Sequence, residues 1–71
     1  MTHEEAKARV NEMSVEIAKV ADSMQEFCAQ AASDGDPELQ AMGMHCSGGL
    51  HATLGSCLDI TTALKMREAM A

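Results

Sequence analysis

The chain has 71 residues, of which 46% are hydrophobic and only one, Phe27, is aromatic; eleven acids against five bases give a net charge of −6. A lone chain of this length hides only about 60% of the surface that its unfolded form exposes, which excludes a large core and more than one domain. The acidic balance disfavours nucleic acid as a partner. The apolar residues are mostly Ala, Met and Leu, which are strong helix formers, so the composition predicts an all-α domain over 1–71.

The first residues are polar and acidic and predict no signal peptide. Three cysteines are an odd count, which is typical of a reducing compartment and predicts a cytoplasmic protein. The longest stretch without a charge, 39–58, contains too many polar residues to face lipid, so we expect no membrane partner.

The first helix is predicted at about 2–33. Thr2 and Glu5 have the spacing of a capping box, in which each side chain accepts a hydrogen bond from a free backbone N–H of the first turn. Apolar residues then follow each other at alternating steps of four and three, a heptad pattern that predicts a coiled-coil seam. Three further positions widen this seam on one side, namely Ser14, Ala21 and Cys28.

A turn is predicted at 33–37, where Gly35 suits a left-handed helix end, Asp36 an N-cap and Pro37 the first helical position. A connection this short makes the helices antiparallel. The second helix is predicted at about 36–70. The glycine pair at 48–49 could break it and give three helices, but the apolar spacing crosses the pair without a slip and favours a single helix.

The seam continues through the second helix, so the chain is predicted to form a helical hairpin that dimerises into a four-helix bundle. The residues expected in the core of this homodimer are Val10, Met13, Ile17, Val20, Met24, Phe27, Leu39, Cys46, Leu50, Cys57, Ile60 and Leu64.

The second helix carries no charge between Glu38 and Asp59, and small residues lie on the side away from its seam. A surface helix normally has charges there, so the pattern predicts either a central position in an assembly or a docking surface. An exposed face without a role is the alternative. The residues expected to bind a partner are Met44, His45, Gly48, His51, Ala52, Leu54, Gly55 and Leu58.

The histidines and cysteines of the second helix are typical zinc or copper ligands, but their spacing does not suit a site on one helix. Cys46 and Cys57 share a face but lie about 16 Å apart at the helical rise per residue. We therefore expect no metal site, cofactor or disulfide within one chain, and the cysteines are interpreted as small hydrophobic residues. No nucleophile–base motif is present, so no catalytic residue is predicted.

The layout of two heptad-patterned helices and a tight turn resembles the Rop-type hairpin, which implies an antiparallel dimer. Rop-type proteins contact RNA through a basic face, whereas the first helix here is acidic. The sequence predicts a non-enzymatic interaction protein, a homodimeric regulator or inhibitor of the phage or bacterial accessory type that binds another protein. The alternatives are a nucleic-acid-related regulator, either a Rop-like RNA binder or an acidic mimic of nucleic acid, and a metal or thiol site between chains.

Overall fold

The computed structural model describes residues 1–70 and consists of two helices, α1 (His3–Ser33) and α2 (Pro37–Met70). The helices contact each other along a rod of about 55 × 15 × 14 Å. The predicted all-helical hairpin is confirmed. α2 passes through the glycine pair at 48–49 without interruption, as the apolar spacing favoured.

The first turn of α1 is capped by a side chain. The Thr2 hydroxyl accepts a hydrogen bond from the Glu5 backbone N–H at 3.1 Å, which is the threonine half of the predicted capping box. Glu4 and Glu5 also place negative charge at the positive end of the helix dipole. The beginning of α1 is therefore fixed by local sequence alone.

The connection between the helices is held by backbone and side-chain hydrogen bonds. Gly35 has a φ of +70°, and the N–H groups of Gly35 and Asp36 donate to the carbonyls of Ala32 and Ala31 at 3.1 and 2.9 Å. This is the pattern of a Schellman helix end. The Asp36 carboxylate then accepts from the Leu39 N–H at 3.1 Å, so Asp36 is the N-cap of α2 as predicted. One short segment thus ends α1 and starts α2.

The residues between the helices differ from the predicted seam at every second position. In α1, Ser14, Ala21 and Cys28 face α2, whereas their neighbours Met13, Val20 and Phe27 are exposed. In α2 the inward face is shifted in the same way: Gln40, Ser47 and Thr61 replace exposed residues with polar ones, whereas Leu54 replaces Thr53 with a larger apolar residue. The inward residues of α2 are Gln40, Gly43, Ser47, Leu50, Leu54, Cys57, Thr61 and Leu64, and the displaced ones are Leu39, Cys46, Thr53 and Ile60.

The two helices pack closely around Gly43. A Cβ atom added to Gly43 would lie 2.7 Å from the Cys28 sulfur and 3.1 Å from the Phe27 ring. The Cys28 thiol also lies 4.0 Å from the Gln40 carbonyl oxygen. The two helices approach each other closely here, and a larger side chain between them would separate them.

Candidate interaction surface

A row of apolar side chains lies exposed along one side of the hairpin, and we call it the apolar strip. In both helices, the residue that follows every second position of the predicted seam faces inward instead of the seam residue itself. Because the helices are antiparallel, the seam residues that do not face inward lie on the same side of the hairpin in α1 and α2. Met13 and Ile60, one from each helix, line the same groove of about 360 Å³. The strip consists of Met13 (45% exposed), Val20 (50%), Phe27 (45%), Leu39 (42%), Ile60 (45%), Cys46 and Thr53.

The twelve residues predicted for a dimer core therefore divide into two sets. Half of them lie between α1 and α2 of one chain: Val10, Cys57 and Leu64 are buried, and Ile17, Met24 and Leu50 are half-buried. The other half lie on the apolar strip and are Met13, Val20, Phe27, Leu39, Cys46 and Ile60. A single hairpin covers only the first set.

The exposed area of the chain is large for its mass. A compact monomer of 7.5 kDa exposes about 4,200 Å², whereas this chain exposes 5299 Å². The difference of about 1,000 Å² exceeds the roughly 800 Å² that each partner buries in a standard interface. The hairpin thus leaves enough surface uncovered for one further interface of ordinary size.

A second exposed surface lies on α2, on the side turned away from α1, and we call it the outer side of α2. His45, Gly48, Ala52 and Gly55 lie on it. Met44, His51 and Leu58 flank it and are also exposed. Seven of the eight predicted partner-binding residues are therefore accessible. The eighth, Leu54, is half-buried and faces α1.

Two glycines on the outer side of α2 have no packing role within the hairpin. A Cβ atom added to Gly48 or Gly55 would have no neighbouring atom within 4 Å, in contrast to Gly43. Glycine inside a helix costs roughly 0.5–1 kcal/mol relative to alanine. Their presence is therefore not explained by contacts between α1 and α2.

Three hydroxyl groups of α2 donate to carbonyls of their own helix. Thr53 donates to the Gly49 carbonyl at 2.9 Å, Ser56 to that of Ala52 at 3.3 Å and Thr61 to that of Cys57 at 3.1 Å. The His51 Nδ1 lies 2.8 Å from the Ser47 carbonyl oxygen and donates to it. These polar groups have their hydrogen-bond partners within α2. Covering them with another protein therefore costs less desolvation free energy.

A small group of charged residues lies where α1 begins and α2 ends. The Glu68 carboxylate accepts from the Lys7 ammonium at 2.7 Å and from the His3 Nε2 at 2.8 Å. The Lys7 hydrogen bond, and after it the His3 one, holds the pKa of Glu68 below its ordinary value. The same bond to Glu68, with the nearby charge of Glu4, raises the pKa of Lys7. No local spacing in the sequence predicts this group, since it depends on the register of the hairpin.

Within residues 1–70, the cysteines and the histidines of α2 are not gathered into a set of three metal ligands. Cys28 is half-buried, Cys46 exposed and Cys57 buried, and all three are free thiols. Over residues 1–70, the group whose ligand atoms lie close enough to share an ion, within 4.8 Å, is His3, Glu4 and Glu68. The Lys7 ammonium already contacts the same Glu68 oxygen, and a cation there would compete with it. A site between chains remains a prediction.

Over residues 1–70, neither helix contains a segment with the length and hydropathy of a membrane span. The exposed features described above are the apolar strip, the outer side of α2 and the charged group at Glu68. No protein-family model matches the chain, and neither the comparison with curated proteins nor that with solved structures finds a match. The resemblance to the Rop-type hairpin accordingly remains one of layout.

Proposed function

We propose that this chain is a small non-enzymatic interaction module, which dimerises through the apolar strip and regulates or inhibits another protein by binding it through α2. The observation that carries the proposal is the absence of charge in α2 between Glu38 and Asp59, on a helix that α1 covers on one side only. A charge-free helix exposed on several sides is typical of one that packs against further partners.

The apolar strip supports the dimer. Its large side chains are 42–50% exposed, and burying apolar area stabilises a complex by about 25 cal/mol per Å² before the costs of association. A second hairpin laid on the strip would complete a four-helix bundle. The interface between the two copies would then contain the six predicted core residues that a single hairpin leaves exposed.

The outer side of α2 supports the second interaction. It stays exposed when the apolar strip is covered, because it lies on the side of α2 away from α1. Gly48 and Gly55 would let a partner's backbone approach the helix closely, and the exposed Met44 and Leu58 would supply flexible and branched apolar contacts at its edge. This arrangement accounts for glycines that the hairpin does not require.

Light scattering and a pull-down test the two parts separately. We expect the mass of a dimer in solution, and a cellular protein that is retained by the wild type and lost with Gly48→Leu or Gly55→Leu. Ala29→Leu, a similar enlargement at an exposed position of α1, is the matched control and should retain the partner. Both glycine variants have room for the new side chain in the hairpin, so they should remain dimeric. A folded monomer, or equal retention by all variants, would contradict the proposal.

A further inference from the structure

The apolar strip repeats on either side of its own midpoint. In α1, Val20 lies seven residues from both Met13 and Phe27; in α2, Thr53 lies seven residues from both Cys46 and Ile60. The contacts of Cys28 with Gly43 and of His3 with Glu68 place Val20 and Thr53 at about the same height of the rod. A twofold axis that crosses the rod at this midpoint would bring Val20 and Thr53 each against its own copy, whereas an axis along the rod would bring Val20 against Thr53 of the second copy. Such self-complementarity is what an interface between identical chains requires.

Two orientations of the second copy would cover the strip. In the like-on-like orientation, the twofold axis crosses the rod, so α1 packs on α1 and α2 on α2. In the crossed orientation, the axis runs along the rod, so α1 of each copy packs on α2 of the other. All neighbouring helices are antiparallel in both, and the buried area does not distinguish them.

The residues bordering the strip distinguish the two orientations. Helical spacing places a polar row beside the strip on α1, and Arg9 lines the strip groove with Met13 and Ile60. The corresponding row on α2 is small or apolar. The row on α1 is Arg9, Glu16, Ser23 and Gln30, and the row on α2 is Met42, Gly49, Ser56 and Ala63.

The like-on-like orientation pairs polar with polar residues. Around a twofold axis at Val20, Arg9 comes opposite Gln30 of the second copy, and Glu16 comes opposite Ser23 of the second copy. In the crossed orientation Glu16 would again come opposite a serine, Ser56, but Arg9 would come opposite Ala63 in the uncharged row of α2. Covering a charge without a polar partner costs free energy. In addition, Gly49 would let the two α2 helices approach each other closely.

We infer that the second copy covers the apolar strip in the like-on-like orientation, which joins the outer sides of the two α2 helices into one uncharged docking surface. This inference rests on the proposed function and adds that each copy contributes half of the site. The opposite side of the dimer would consist of the two acidic α1 helices.

Disulfide trapping distinguishes the orientations. Val20→Cys and Thr53→Cys are prepared separately in a Cys46→Ala background and then oxidised under mild conditions. In the like-on-like orientation each variant meets its own copy, within the roughly 7 Å between Cα atoms that a disulfide allows. We expect each variant alone to form a covalent dimer in most of the protein. Val15→Cys is the matched control, because Val15 is 48% exposed and lies on the same helix outside the strip; it should stay unlinked.

The other outcomes have separate meanings. If neither variant links alone but a mixture of the two does, the crossed orientation holds and the inference is overturned while the dimer stands. If light scattering shows a dimer but no combination links, the strip is not the interface and the inference also fails. A chain that is monomeric by light scattering overturns the proposed function itself.

Discussion

The Cys28 thiol occupies the space where a side chain at Gly43 would begin, since a Cβ atom on Gly43 would lie 2.7 Å from its sulfur. Overpacking of this kind costs about 1–3 kcal/mol, against a gain of roughly 0.5–1 kcal/mol when a helical glycine becomes alanine. We expect Gly43→Ala to lower the free energy of unfolding by about 1 kcal/mol. Chemical denaturation at fixed protein concentration measures it.

Gly48→Ala is the control for that variant, because its new methyl group has open space around it. It should raise the free energy of unfolding by about 0.5–1 kcal/mol. Equal effects of the two substitutions would show that the close approach of the helices at Gly43 is absent in solution.

Substitutions at two valines of α1 test whether the apolar strip, rather than any exposed apolar position, is the dimer interface. Val20 lies on the strip and is 50% exposed, whereas Val15 lies off it and is 48% exposed. A charge at Val20 would be buried in the dimer without a partner, which costs several kcal/mol. We expect Val20→Glu to weaken dimerisation at least 100-fold and Val15→Glu to leave it nearly unchanged. Sedimentation equilibrium gives both constants, and similar values would contradict the assignment of the strip.

The turn depends on the left-handed backbone of Gly35. Its φ of +70° is a region that residues with a side chain adopt at a cost of roughly 1–2 kcal/mol. We expect Gly35→Ala to destabilise the hairpin by about that amount, as measured by thermal unfolding. Gly55→Ala should do the reverse, since Gly55 is helical and has no neighbour within 4 Å of the added methyl group. A neutral Gly35→Ala would mean that the Schellman end does not persist.

The contact of Glu68 with Lys7 and His3 predicts a pH dependence at the end of the rod. The pKa of Glu68 lies below its ordinary value, so the stabilisation is present above that value and is lost as the pH falls through the lowered pKa. The pKa of Lys7 is raised, so its stabilisation is present below the ordinary lysine value and is lost as the pH rises through the raised pKa. The contact should therefore be complete near neutral pH.

Amide hydrogen exchange in the first turn of α1 and the last turn of α2 checks this expectation. Protection there should decrease on acidification, and Glu68→Gln should decrease it already at pH 7. Glu12→Gln removes an acid from the exposed surface of α1 and serves as the control. Unchanged protection in Glu68→Gln would show that the ends of the helices are not joined through this residue.

The local signals in the sequence were sufficient for the helices and the turn. Thr2, Gly35 and Asp36 act through neighbours within a few residues, so their roles follow from spacing alone. The orientation of each helix was not predictable in the same way. α1 has apolar or small residues at three positions of each heptad, and the pattern does not tell whether Val20 or Ala21 faces α2. The structure places the smaller residue, Ala21, between the helices and leaves Val20 exposed.

The predicted docking residues show the same limit. Leu54 and Leu58 are both leucines on α2, yet Leu54 faces α1 and Leu58 is exposed. Only the orientation of the helix separates them. The contact between His3 and Glu68 was likewise outside the reach of local spacing, since it joins residues 65 positions apart.

The hydroxyl groups of Thr53, Ser56 and Thr61 bond to carbonyls of their own helix. Because these bonds are internal to α2, they need not break when the helix passes from water to contact with another protein. α2 can therefore exchange one neighbour for another while its own hydrogen bonds stay the same, which suits a surface that is free at one moment and covered at the next.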